Sequence, residues 1–417
     1  MEAVSTTIDT DVLIVGAGPA GSAAAFFAAK QGLSALLIDA EEFPRDKTCG
    51  DGLTPRATHQ LAKMGLLDHI TERYQSNGLK LHGFGGSVTA PWPDSPFGQV
   101  GSACRRTELD HLLVKHAAAQ PEVTTWLGAT VHSPVITSRI TEVTVTHEGV
   151  DKRVRPRHVI VADGVRSTFG KQLGRTWHRG EVYGIAARSY CTTPLADEPW
   201  IHSHLELRSD GIAQPGYGWI FPLGDGTANV GCGALSTDKR PARLNTKKVL
   251  REYALSLESE WSFGTPENVA SALLPMGGAV TNVAGPNWML IGDAAACVNP
   301  LNGEGIDYAL ETAELAAQLC TTTKDLTLVW PHVLREHYGE AFLLARTLAR
   351  ALTYPQFLPV FGPIGLRVPV LMQSAARLMG NLVTEEDKDV VSWSWRKAGK
   401  YLSGARSEAP LWGKSFP

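Results

Sequence analysis

Asp11-Val-Leu-Ile-Val-Gly16-Ala-Gly18-Pro-Ala-Gly21-Ser-Ala-Ala-Ala25 reads as an apolar strand, a G-x-G-x-x-G turn and the start of an alanine-rich helix. A second apolar strand, Ala35-Leu-Leu-Ile38, follows and ends at Asp39, 18 residues beyond Gly21. Each residue type has a mechanical reason. Gly16 permits the tight turn out of the strand, Gly18 lets the backbone approach a pyrophosphate, and Gly21 lets the helix pack closely on the sheet. The helix N-terminus offers N–H groups and the positive end of a dipole to phosphate. A carboxylate at Asp39 can hold a ribose hydroxyl. The unit predicts dinucleotide binding; its bland alternative is a glycine-rich turn in an ordinary α/β domain.

The chain of 417 residues has room for two or three domains. It is 43% hydrophobic and 19% charged, enough to bury a sizeable core, and its net charge of −3 argues against a general nucleic-acid surface. Six cysteines, at 49, 104, 191, 232, 297 and 320, form no C-x-x-C pair, so no metal site or disulfide framework is expected. Met1 to Thr10 is polar and lacks a signal core, and a cytoplasmic location is expected. Ala351 to Leu366 is free of charge but broken by Pro355, Pro359 and Pro363, which disfavours a straight membrane-spanning helix.

Further along, residues 53–67 read as helical, with Leu61, Met64, Leu66 and Leu67 on the apolar side, and Arg106 to Ala119 reads as a helix. Alternation in Thr141-Glu-Val-Thr-Val-Thr146 predicts β-structure across 123–161. Strands are expected at Val182–Tyr190, His202–Leu207, Gly218–Pro222 and Ala228–Ala234. Trp288-Met-Leu-Ile291 is another apolar strand, followed by Gly292-Asp293 and by Asn299-Pro-Leu-Asn-Gly303-Glu-Gly305 leading into a helix at about 304–320. Asp293 is placed to accept hydrogen bonds from a polyol, and Gly303 and Gly305 let backbone approach a ring edge; the plain alternative is a capped helix. Asp163-Gly164 after the strand Val159-Ile-Val161 is either a bare turn or part of that site. Arg105 is either a surface charge or a phosphate partner. His202 and His204 share a strand face without a third ligand and read as structural.

Together these pieces stand in the order seen in flavoproteins with the aromatic-hydroxylase type of FAD fold. Two stretches narrow the resemblance. Pro44-Arg-Asp-Lys-Thr-Cys49-Gly50-Asp51-Gly52 resembles a cysteine–glycine loop, and Pro215-Gly-Tyr217-Gly-Trp219-Ile-Phe221-Pro222, with Asn229-Val-Gly231, is similar to the P-x-Y-x-W-x-F-P motif of the geranylgeranyl reductase family. Cys49-Gly-Asp-Gly-Leu-Thr-Pro-Arg56 and Leu273-Leu-Pro-Met-Gly-Gly278 point within that family to members acting on menaquinone. The resemblance, from Asp11 to about Trp395, implies an α/β fold: a Rossmann-like FAD domain (1–78, 105–175, 275–330), an inserted β-rich substrate domain (79–104, 176–274) and a C-terminal helical region (331–417).

It also implies FAD held by Gly16, Gly18, Gly21, Asp39, Arg105, Asp163, Gly292, Asp293, Gly303 and Gly305, and no metal. Tyr217, Trp219, Phe221 and Pro222 would meet a polyprenyl lipid. Cys49, Tyr217 and Trp219 would be catalytic, with Cys49 serving in proton transfer or positioning. The implied reaction saturates an isoprene double bond with hydride from reduced flavin and a proton from a nearby donor. The sequence has no second complete G-x-G-x-x-G unit, so the electron donor stays open between NADPH and a ferredoxin-like carrier. An FAD-dependent monooxygenase and a non-catalytic prenyl-binding protein are the competing readings; a halogenase would carry W-x-W-x-I-P, from which Trp219-Ile-Phe221-Pro222 departs. A lipid substrate also implies peripheral contact with the inner face of the cell membrane. Leu371, Met372, Ala375, Leu378, Met379 and Leu382 fall at helical spacing for a lipid-facing stripe, or for packing on the protein's own substrate domain.

Overall fold

The structure, a computed structural model, describes residues 7–367 except 210, 243 and 355, and beyond them 374, 377, 378, 382, 393, 397, 398 and 411–413. Two large sheets organise it. The first has the strand order Ala284–Gly285, Trp288–Leu290, Val150–Val161, Thr7–Val15, Ala35–Ile38, Val123–Trp126. From Trp288–Leu290 to Val123–Trp126 its pairings are parallel. That arrangement suits the sequence: the strands are continuous apolar runs, with Val12, Leu13 and Ile14 fully buried in the core. The hairpin Thr130–Ile136/Ile140–His147 joins through Val150–Val161 and carries the alternating segment.

The helix Pro19–Lys30 covers this sheet and packs on the helix Ile306–Thr322. Small residues make the close approach possible: Ala23, Ala24, Ala28 and, opposite, Ala309, Ala313, Ala316 and Ala317 are all buried. The segment at 53–67 forms Pro55–Lys63 and stops at Gly65, whose φ of +75° ends the helix before the short turn Leu67–Thr71. Leu61, Met64 and Leu66 are buried as the apolar side requires.

The second sheet has seven strands in the order Glu267–Pro275, Tyr183–Thr192, Thr227–Ser236, Gly216–Pro222, Ile201–His204, Gly78–Gly83, Gly86–Pro91. It is antiparallel except where Ile201–His204 runs parallel to Gly78–Gly83. The helix Thr246–Ser256, which the sequence reading passed over, lies against it, opened by the Asn245 side chain accepting from Lys248 N at 3.1 Å. The edge strand Glu267–Pro275 was also passed over.

The chain ends, as far as described, in helices Val329–Leu334, Glu340–Leu352 and Phe357–Arg367. Arg350 and Arg346, both on Glu340–Leu352, hold Glu181 at 2.6 and 3.3 Å and so tie this region to the second sheet. Of the predicted lipid-facing stripe, Leu371, Met372, Ala375 and Met379 lie outside the described residues. Leu382 is fully buried beside Leu79 and Leu81, and Leu378 lines the internal cavity described below. No helix among the described residues is long and apolar enough to cross a membrane.

Candidate active site

One cavity of about 1640 Å³ runs between the two sheets and reaches the C-terminal helices. At one end lies the glycine turn. A Cβ at Gly16 would sit 2.4 Å from the Ala162 carbonyl oxygen, and one at Gly21 1.7 Å from the Gly16 carbonyl oxygen, so both approaches require glycine. No side chain among the described residues caps the helix that starts at Pro19, and its first turn holds no acid. Its N–H groups therefore face the cavity available to an anion. Asp39 braces the turn by accepting from Ala17 N at 2.6 Å and Glu41 N at 2.9 Å.

The strands Val150–Val161 and Trp288–Leu290 end at the same edge and bring two further carboxylates there. Asp163 accepts from Phe169 N through Oδ2 at 2.8 Å, while its buried Oδ1 has no partner among the described residues. Burial raises the pKa of its carboxyl above the ordinary value. Asp293 sits in the tight turn Gly292–Ala295 and lines the cavity beside Gly303 and Gly305. A Cβ at Gly305 would come within 3.1 Å of Asp293 Oδ1, so the loop needs glycine to lie on that carboxylate. A glycine cradle, an uncapped helix start, an orphaned carboxylate oxygen and a cavity joining them fit FAD.

The middle of the cavity is built on the Cys49 loop. Asn229, on the strand Thr227–Ser236, donates through Nδ2 to the Cys49 carbonyl at 2.9 Å and to Asp51 Oδ2 at 2.8 Å. It accepts from Trp219 Nε1 at 2.9 Å, and Tyr190 O–H donates to Asp51 Oδ2 at 2.7 Å. A Cβ at Gly50 or Gly52 would meet the Phe221 ring at 2.9 Å, so the loop lies flat on that ring. Arg188 pairs with Asp46 and completes the clamp. Tyr217, Trp219 and Phe221 share one face of their strand and all line the cavity; Tyr217 O–H donates to the Asn302 carbonyl at 2.5 Å.

A family model described as FAD binding domain matches residues 9–324. The menaquinone reductase of Mycolicibacterium smegmatis is 52% identical over 403 residues, covering 93% of this chain and 96% of that protein. The chain belongs to the menaquinone reductase family of FAD-binding proteins. The menaquinone reductase of Mycobacterium tuberculosis is equally similar, 52% identical over 95% of this chain and 97% of its own. Digeranylgeranylglycerophospholipid reductase 1 of Methanopyrus kandleri is 29% identical over 83% of this chain and 91% of that protein. Among solved structures, a geranylgeranyl bacteriochlorophyll reductase-like protein from Thermoplasma acidophilum superposes with a TM-score of 0.74 at 20% identity, covering 96% of this chain and 98% of its own. That likeness, and a TM-score of 0.70 to the flavin-dependent brominase Bmp2 at 19% identity over 95% of this chain and 100% of that one, concern the fold. The FAD fold that the resemblance implied is therefore present, FAD is the cofactor, and the chain is a flavin-dependent oxidoreductase.

Not every expected residue reaches the cavity of this reductase family member. Arg105 does not line it: its guanidinium pairs with Asp225 at 3.1 Å, donates to Thr227 Oγ1 at 2.8 Å and lies over the Tyr190 ring. The neighbouring Arg106 does line it, buried and held by Asp110 at 2.7 Å, and so does Arg45, whose Nη2 would lie 3.4 Å from a Cβ at Gly18. Helix phase explains the exchange, since one residue turns the side chain by about 100°. Pro222 lies off the cavity wall, and Gly21 and Gly292 stand behind it as close-packing positions. His202 and His204 point to the opposite side of their strand. His82 Nε2 and His202 Nδ1 are 3.0 Å apart, Tyr253 O–H meets His204 Nδ1 at 2.6 Å, and burial pushes both His202 and His204 down to about 3, leaving them neutral. No group of three or more metal-type side chains among the described residues could hold an ion.

Asp51 and Glu304 were passed over in the sequence. Asp51 is fully buried, and burial pushes its carboxyl up to about 6 despite the hydrogen bonds from Asn229 and Tyr190 and the nearby Arg106 and Arg188. A raised native value means the folded state binds the proton more tightly than the unfolded chain. Stability from this group is thus greatest below about pH 4, falls as pH rises through about 6, and is level above. Two units correspond to on the order of 3 kcal/mol. Asp51→Asn should remove this slope: relative to the parent, the variant gains stability between pH 4 and 7 in urea titrations. A parent–variant difference that does not change with pH would show that Asp51 is not held protonated.

Asp293→Ala is expected to purify with low FAD occupancy and a nearly unchanged melting temperature, because the side chain faces the cavity rather than the core. Absorbance in the flavin bands per protein measures it, and full occupancy would remove Asp293 from the FAD site.

Proposed function

We infer that this protein saturates an isoprene C=C bond in the polyprenyl side chain of menaquinone, using FAD. The observation that carries this reading is the continuity of the cavity. It passes from the FAD turns across the Tyr217–Trp219–Phe221 wall to apolar side chains such as Ala272, Leu274, Leu352 and Phe357. A quinone ring alone does not need such a slot; an extended prenyl chain does. The 52% identity to menaquinone reductases supplies the substrate class.

In this reading the FAD part comprises 1–78, 105–175 and 275–330, and the lipid part 79–104 and 176–274. Bound and reduced, FAD supplies the hydride. The chain's own residues do the rest. The glycine turn, Asp39, Arg45 and Asp293 hold the cofactor. Tyr217, Trp219 and Phe221 keep water from the double bond and fix its distance. An unpolarised trisubstituted alkene cannot accept hydride without a positioned proton, so a dry wall and a placed acid are the two requirements.

The test uses FAD-loaded protein reduced with dithionite under anaerobic conditions and given menaquinone in detergent. Extracts are re-oxidised in air before mass spectrometry. Side-chain saturation leaves two extra hydrogens that survive air; ring reduction alone reverts to the starting mass. A hydroxylated product formed only with oxygen would establish the monooxygenase instead, and unchanged menaquinone would overturn the reading.

The lipid must be drawn from a bilayer, and we extend the reading to peripheral membrane contact. The helices that bring Leu348, Phe357 and Leu358 to the cavity also carry or flank Val360, 56% exposed, and Tyr354, 52% exposed. The protein should float with liposomes at high salt, and Tyr354→Asp with Val360→Asp should not. An intact chain that stays in the dense fraction at every lipid composition refutes the contact.

A further inference from the structure

Three neutral acids face the cavity around the proposed position of the double bond: the Cys49 thiol, the Tyr217 phenol and the Glu304 carboxyl. Asp51 also borders the cavity, but its Oδ2 is taken by Tyr190 and Asn229, and at about 6 its carboxyl is largely ionised at neutral pH. Asp39, Asp163 and Asp293 belong to the cofactor turns. Glu304 differs from its neighbours in several ways. It stands between Gly303 and Gly305, which line the cavity with it, and a Cβ at Gly305 would come within 3.1 Å of Asp293 Oδ1. It is half-buried and lines the cavity. Thr54 Oγ1 lies 2.6 Å from its Oε1, and Asn302 Nδ2 lies 3.4 Å from its Oε2. The loop is also locked in place: Asn302 O accepts from Tyr217, and Glu304 N donates to Asn302 Oδ1 at 2.9 Å.

We propose that Glu304 is the catalytic acid that protonates the isoprene double bond. The proposal rests on the reading of the protein as a side-chain reductase. Protonating an isolated alkene demands the strongest neutral acid available. A carboxylic acid is intrinsically stronger than a thiol by several units, and stronger still than a phenol. The surroundings keep it protonated: burial and the carboxylate of Asp307 outweigh the Thr54 and Asn302 hydrogen bonds and the Arg56 charge, raising Glu304 well above the ordinary glutamate range. Burial raises Cys49 and Tyr217 too, so it gives neither an advantage over the carboxyl.

The step balances as follows. The Glu304 O–H bond breaks and a C–H bond forms at the less substituted alkene carbon. The tertiary carbon receives the hydride, and the two electrons of that hydride are those lost by the reduced cofactor. Glu304 is left as carboxylate, with Arg56 nearby, until water returns the proton after the product leaves.

Glu304→Gln, Glu304→Asp and the parent are compared as FAD-loaded, dithionite-reduced enzymes on menaquinone, and by infrared spectroscopy of the oxidised, substrate-free proteins. The parent should show a protonated-carboxyl C=O band that is missing in Glu304→Gln. That variant should bind FAD and lose about a hundredfold or more in saturation rate. Glu304→Asp keeps the acid but shortens its reach, and should recover part of the rate. The proposal is overturned by a Gln variant within threefold of the parent, by a carboxyl band that persists in it, or by an Asp variant slower than Gln. Should Glu304→Gln not hold FAD, the Asp variant and the parent's band decide: an inactive, FAD-replete Asp variant or a parent without the band refutes it. A parent that saturates nothing refutes the underlying function instead, and the infrared result still reports whether Glu304 carries a proton.

Discussion

Gly21→Ala should yield a protein that holds no FAD and is destabilised by about 3 kcal/mol. The added methyl would lie 1.7 Å from the Gly16 carbonyl oxygen and 3.3 Å from the Ala162 Cβ. The first contact is with backbone, so no rotamer change relieves it. Either the helix Pro19–Lys30 shifts away from the sheet or the Gly16 turn opens. Shifting the helix disturbs its packing against Ile306–Thr322, a seam of alanines with little slack; overpacking of this kind typically costs about 1–3 kcal/mol. Opening the turn breaks the Ala17 N–Asp39 hydrogen bond and misaims the helix N-terminus. Both routes spoil the phosphate cradle, so loss of FAD accompanies either. Gly180→Ala is the control: a Cβ there meets nothing within 4 Å. Flavin absorbance and thermal melting should leave Gly180→Ala like the parent and Gly21→Ala colourless with a lowered melting point. A yellow, stable Gly21→Ala protein would mean that the helix and turn are not in the close contact described.

What could be read from the chain alone was local. The glycine turn, the strand that follows and the Trp288-to-Gly305 corner each work through residues near one another in sequence, and each formed as expected. The aromatic triplet at 217, 219 and 221 faced one side because a strand's period is two. What could not be read depended on distant partners. Asp51 looks like a turn residue until Tyr190 and Asn229, 139 and 178 positions away, converge on it. Arg105 and Arg106 are indistinguishable in composition; Asp225, 120 residues on, takes the first, and Asp110, one helical turn on, holds the second toward the cavity. Glu304 was visible between two singled-out glycines, yet only its burial and the placement of Asp307, against the pull of Thr54 250 residues earlier, raise its carboxyl above the ordinary range. The helix Thr246–Ser256 did leave a signal, an Asn cap followed by Val249, Leu250 and Ala254 at helical spacing. It was masked by the strand-rich stretches on either side.

Cys49→Ala should keep FAD and fold, and lose about a hundredfold in side-chain saturation. The loop around Cys49 is fixed independently of the thiol: Asn229 holds its carbonyl, Phe221 underlies Gly50 and Gly52, and Arg188 pairs with Asp46. Truncating the side chain therefore leaves the loop in place. The sulfur itself accepts from Asp51 N at 3.4 Å and lines the cavity. Burial raises the thiol above its ordinary value, against the opposing pull of Arg106, so it stays protonated at neutral pH. With Glu304 as the acid, this thiol acts as a positioning residue, filling the wall that sets the distance between the double bond and the hydride source. Misplacement by about 1 Å is enough for a hundredfold loss. Two measurements separate positioning from proton donation. Cys49→Ser, close in size, should recover more of the rate than Ala, and the carboxyl infrared band of Glu304 should be unchanged in both variants. The protonated thiol should also react slowly with iodoacetamide at neutral pH, since the thiolate is the nucleophile. A Cys49→Ala enzyme at the parental rate would reduce Cys49 to a packing residue, and a fast-alkylating thiol would show that Arg106 holds it as thiolate.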